Sequence, residues 1–146
     1  HTAYRRQRQM CIRDRPTPAF ERVVEAMILM SGLGFESGGL SIAHALTRGL
    51  PKIGGVAMAL HGLQVAVGLL VQLDLEQRND GMLADLTQWY AQVGLPTTLR
   101  ELGAADTPGD ADLTLAAELT LKARHAANFD RELDVATLAD ALRRHA

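Results

Sequence analysis

Between Ile53 and Leu73 the chain carries no Asp, Glu, Lys or Arg. So long an uncharged run must leave water, and two environments accept it: a bilayer or a protein core. Its polar breaks decide between them. His61, Gln64 and Gln72 interrupt the run, and Asp74 and Glu76 close it without a basic flank. Three glycines, Gly54, Gly55 and Gly62, crowd its start. The segment from about Leu60 to Gln77 therefore reads as the buried central helix of a soluble bundle, not as a membrane span.

The rest of the chain supplies helices to cover it. Thr17-Pro18 combines an N-cap with a proline suited to the first turn. Phe20, Val23, Val24, Met27, Ile28 and Met30 then follow a helical period, which Gly32 and Gly34 are expected to stop. Ser37 predicts the cap of a second helix from about Gly38 to Arg48. Further helices are expected from Met82 to Val93, from Thr97 or Thr98 to Leu102, from Asp112 to Ala126, and from Val135 to Arg144 under an Asp134 cap. No strand alternation and no repeat is visible. Abundant Ala and Leu with few aromatics suit helical packing. The predicted fold class is all-α, a bundle of about six helices.

The formal net charge of −2 conceals an asymmetry. Residues 1–15 hold five arginines and one aspartate, which leaves 10 basic against 16 acidic residues from position 16 onward. Such an acidic body offers no face for nucleic acid. The lone Cys11 excludes a disulfide framework and a Cys-rich zinc site, and fits a reducing, cytoplasmic compartment. The opening HTAYRRQRQMCIRDR has no apolar stretch of a secretory signal and no helical or strand period. It resembles translated sequencing-adaptor read-through, so residues 1–15 read as a non-native or disordered leader and 16–146 as the domain.

Chemistry concentrates in residues 34–62, GFESGGLSIAHALTRGLPKIGGVAMALHG. His44 is expected on a helix face shared with Ser37, Leu40, Ser41 and Thr47. His61 opens the uncharged helix beside Gly62. Neutral imidazole is the commonest metal ligand, and a glycine-rich connection lets the two converge. Spacing alone also fits two core histidines hydrogen-bonded to backbone carbonyls. A catalytic zinc usually takes three protein ligands and keeps an open position. Glu36 is a candidate third ligand, although it precedes the Ser37 cap. His125 is another, although Lys122, Arg124 and Asn128 suggest an exposed helix end.

GFESGGLxxAHA followed by HGxxVAxG, in this order and spacing, resembles the C-terminal helical domain of the glycerol dehydrogenases. These belong to the metal-dependent alcohol dehydrogenases of the iron-containing type, with a dehydroquinate synthase-like fold. The likeness covers residues 16–102 and continues more loosely to the C-terminus, where Gly94-Leu95-Pro96 also fits. It implies an upstream nucleotide-binding domain, absent from this chain, and a metal in the interdomain cleft held by one aspartate and two histidines. His44 and His61 match the two histidines, the aspartate would lie upstream, and Phe35 matches an aromatic of the substrate pocket. The implied cofactors are a divalent metal, zinc expected over iron, and NAD. The implied activity is oxidation of glycerol or a related vicinal diol to the hydroxyketone, by a cytoplasmic homo-oligomer with no nucleic-acid or membrane partner, the isolated fragment being inactive.

The chain departs from the family pattern at Thr47, where a further histidine is common, and at Leu63 and Gln64, where Glu-Lys is common. These departures leave both ligands in place and bear on the substrate. The alternatives are another iron-type alcohol dehydrogenase, a glycerol-1-phosphate dehydrogenase-like enzyme, and a non-catalytic helical interaction module. A phosphate-using enzyme should gather cations around the cleft, and only Arg48 and Lys52 lie near in sequence.

Overall fold

The structure, a computed structural model, describes residues 16–77 and 80–146. The leader expected at residues 1–15 lies outside the described residues. The chain divides into two compact units, His1–Gly39 and Leu40–Ala146.

In the first unit the described residues form one helix, α1 (Pro18–Gly38). Its cap is the predicted one: Thr17 Oγ1 accepts from the Phe20 N–H at 3.1 Å. The helix does not stop at Gly32 or Gly34. An interior glycine costs only about 1 kcal/mol, so the hydrogen-bond ladder continues to Gly39, whose φ of 69° ends it. Ser37, expected to cap the next helix, lies inside this one.

The described residues of the second unit form six α-helices: α2 (Ile42–Ala45), α3 (His61–Glu76), α4 (Met82–Val93), α5 (Leu99–Leu102), α6 (Asp110–Leu121) and α7 (Val135–Arg144). No strand occurs among the described residues. Short 3-10 turns follow α2 at Leu46–Arg48, Leu50–Lys52 and Val56–Met58, and another follows α6 at Arg124–Asn128. The second predicted helix is thus one turn of α-helix passing into 3-10 turns, because Gly49 and Pro51 prevent a regular continuation. The predicted fifth helix is shorter, ending at Leu121 instead of Ala126. Caps on Thr98 and Asp134 form as expected, Thr98 Oγ1 accepting from the Glu101 N–H and Asp134 Oδ1 from the Thr137 N–H.

The second half of the uncharged run forms the core, whereas Met58, Leu60 and His61 in its first half are exposed. Val67, Leu70 and Val71 of α3 are fully buried, as are Ile42, Leu46, Leu50, Val56, Leu99, Leu113, Leu138 and Leu142 from the elements around it. No single helix among the described residues is long and apolar enough to cross a membrane. The polar breaks in the run have structural tasks. Gln64 Nε2 donates to the Ala59 carbonyl at 2.9 Å, closing the entry to α3. Gln72 Oε1 accepts from the Ala43 N–H at 3.0 Å. That N–H belongs to the first turn of α2, where no intrahelical acceptor exists. Ser41, at the cap position, makes no capping bond, and its buried Oγ has no partner among the described residues. A glutamine from another helix therefore does the capping.

This contact requires α2 and α3 to approach closely, and Gly68 permits it. A Cβ at Gly68 would lie 2.6 Å from the Ala43 carbonyl oxygen. Arg144 fastens the opposite end of α3, its Nη2 lying 2.8 Å from Asp74 Oδ2, and the His145 carbonyl holds α5, accepting from the Leu99 N–H at 2.7 Å.

Gly68→Ala and Gly62→Ala should have opposite effects, since no atom lies within 4 Å of a Cβ at Gly62. Overpacking at position 68 costs about 1–3 kcal/mol and helix propensity returns about 1 kcal/mol, so net destabilisation is expected. Gly62→Ala should stabilise by up to about 1 kcal/mol. Urea unfolding measures both, and equal gains would contradict the close approach.

Candidate metal centre

His44 lies in the single turn of α2 and His61 is the first residue of α3. Between them run the 3-10 turns that carry the chain through Gly49 and Gly55. The Ala43–Gly68 approach sets the two helices side by side and brings the imidazoles together. Their ring centroids are 5.8 Å apart, with the planes at 56°. Two imidazoles sharing one zinc at about 2.0–2.1 Å per Zn–N bond would place their centroids roughly 5–6.4 Å apart. The observed separation falls in that range.

Both histidines line one cleft of about 440 Å³, with Leu40, Thr47, Arg48, Lys122, Ala123, Arg124 and His125. Three segments distant in sequence build it. The Arg124–Asn128 turn is tied to the strand of backbone before α2, since Asn128 Nδ2 donates to the Leu40 carbonyl at 2.8 Å. Thr47 Oγ1 donates to the His44 carbonyl at 2.8 Å, closing α2 from within.

The cleft's charge acts on His44. Burial holds its imidazole below the ordinary histidine range, and positive charge on His61 and His125 pushes it the same way. The favoured form is the neutral ring, which is the form that ligates a metal.

Among the described residues, no group of three His, Cys, Asp or Glu is placed to hold a metal ion. The two histidines predicted as ligands come together without a third donor. Phe35 and Glu36 lie on α1, both exposed, in the other compact unit. The surprise is His125. Its charged neighbours suggested an exposed helix end, yet it faces the same cleft. It sits 64 residues beyond His61, and no local spacing marks it. Only the fold around Gly49 brings it close: a Cβ there would lie 2.1 Å from the Ala116 carbonyl oxygen of α6, the helix leading to His125.

A base held below its ordinary value shapes the pH response. As pH falls through about 6.5, the unfolded chain takes up the proton before folded His44 does. This residue's contribution to stability is therefore intact above that value and declines below it until the folded ring titrates. His145 shifts in the same direction, burial outweighing the Asp74 carboxylate 3.6 Å away. Proton NMR of the ring resonances separates the two, and His44 should titrate below 6.5. A midpoint at or above that value would contradict the buried, mutually charged arrangement.

No protein-family profile matches the chain. Curated relatives do. A glycerol dehydrogenase of Thermotoga maritima is 47% identical over 102 residues, covering 70% of this chain and 28% of the relative. A glycolaldehyde reductase of Halobacterium salinarum is 40% identical over 105 residues, covering 72% and 28%. The crystal structure of glycerol dehydrogenase from Schizosaccharomyces pombe superposes with a TM-score of 0.79 at 41% identity, covering 88% of this chain and 33% of that one. The chain spans little more than a quarter of the length of the curated relatives it matches. By sequence and by all-helical fold, it is related to the glycerol dehydrogenases over that part of their length.

Proposed function

We propose that this chain is the C-terminal, metal-binding helical part of an NAD-dependent alcohol dehydrogenase acting on glycerol or a related vicinal diol. One observation carries the reading: His44 and His61, the two residues of the AHA and HG strings, meet in one cleft at a separation suited to a shared cation. The matches to glycerol dehydrogenases and to a glycolaldehyde reductase, whose names specify small hydroxylated compounds, support the substrate class.

Within this chain His44, on α2, and His61, on α3, would hold the cation. Burial keeps the His44 lone pair available by disfavouring the protonated ring. When bound, a divalent metal, zinc by preference over iron, supplies Lewis acidity that lowers the pKa of a hydroxyl, and NAD supplies the hydride acceptor. The third metal ligand, an aspartate, and the nucleotide site belong to the rest of the protein. Met58 and Leu60, beside His61, are 91% and 74% exposed. An uncovered apolar edge of this kind supports a further part of the protein packing there.

The test uses the full-length protein. His44→Ala and His61→Ala should each lower kcat/KM for glycerol by more than about 100-fold, since even outer-shell changes at such sites cost about 10–100-fold. Elemental analysis should show about one zinc per wild-type chain and its loss in both variants. Activity and metal content unchanged would favour a non-catalytic helical module instead.

A further inference from the structure

The cleft holding His44 and His61 is also lined by Arg48, Lys122 and Arg124, and by no aspartate or glutamate. All three cationic residues are exposed. Among the described residues none of them has an ion pair or a side-chain hydrogen bond, whereas Arg143 and Arg144 are paired with Asp110, Asp140 and Asp74. The composition does not account for this, because from residue 16 onward acidic residues outnumber basic ones 16 to 10. Arg22, Lys52, Arg100 and Arg131 also lack an ion pair among the described residues, so what sets these three apart is that they share one cleft of an acidic body. The sequence suggested that only Arg48 and Lys52 lie near the site. The fold adds Lys122 and Arg124, and Lys52 is not among the lining residues.

We infer that the cleft takes a hydroxy compound bearing an oxyanion, carboxylate or phosphate, close to its reacting alcohol. Arg48, Lys122 and Arg124 hold the anion while His44 and His61 lie at the alcohol end. The inference rests on the metal-site reading and narrows its substrate. A guanidinium matches a carboxylate or phosphate with two parallel hydrogen bonds, and an ammonium adds a point charge. A cleft of about 440 Å³ suits a small molecule. Because cations and histidines share it, both ends of one such molecule can be engaged together. A cleft lined with one sign of charge also raises the local concentration of an anionic substrate.

The test is steady-state kinetics of the full-length enzyme with NAD and three alcohols: glycerol, glycerate and glycerol phosphate. Arg48→Gln, Lys122→Gln and Arg124→Gln are made singly and together, with Arg124→Lys as the charge-preserving control. The wild type should show a higher kcat/KM for at least one anionic alcohol than for glycerol. Each neutral variant should lower the anionic-to-glycerol ratio by roughly tenfold, and Arg124→Lys should largely restore it. Inorganic phosphate should inhibit glycerol oxidation competitively, and less in the triple variant. Glycerol oxidation with a ratio unmoved by the triple variant overturns this inference alone. So does a raised KM for NAD with the ratio unchanged, which assigns the cations to the cofactor's phosphates. A wild type that binds no metal and oxidises none of the three alcohols overturns the metal-site reading and this one with it.

Discussion

The second unit depends on how closely α2 approaches α3. A four-residue helix cannot hold itself together, since most of its amide donors lack partners within it. Here the partner is external: Gln72 of α3 accepts from the Ala43 N–H, and Gly68 leaves room for the Ala43 backbone. His44 follows Ala43 directly, and His61 lies seven residues before Gly68, two turns earlier along α3. Packing two backbones against each other therefore also sets the distance between two imidazoles.

A second close approach brings in the rest of the cleft. Gly49 lies against the Ala116 carbonyl of α6, and Asn128 ties the turn after α6 back to Leu40. Lys122, Arg124 and His125 are thereby carried to the histidine pair. Burial is the main cause of the lowered His44 basicity, and positive charge on His61 and His125 acts in the same direction; together they keep the ring neutral and available as a ligand.

The parts legible from sequence were those governed by local chemistry. The helices Met82–Val93 and Val135–Arg144 occur as expected, the latter under its Asp134 cap. The part of the uncharged run from Leu63 to Leu73 lies in the core helix, because apolar periodicity reports burial whatever packs against it. The misjudged boundaries involve glycine and serine. Gly32 and Gly34 do not end a helix whose ladder is otherwise intact, and Ser37 lies inside that helix and does not cap the next one. Each of these residues permits two conformations, and the surrounding chain chooses.

Residue identities alone determined the helical class, the buried segment and the two histidines on which the proposed chemistry rests, because periodicity, charge and string likeness are properties of neighbours along the chain. Tertiary structure decided that those histidines meet, that His125 stands beside them, and that three unpaired cations surround them. These residues come from three segments, 44–48, 61 and 122–125, that lie up to 81 positions apart, and no local preference encodes contact over such separations. It follows from glycines that let backbones touch and from side-chain amides that satisfy the donors left there.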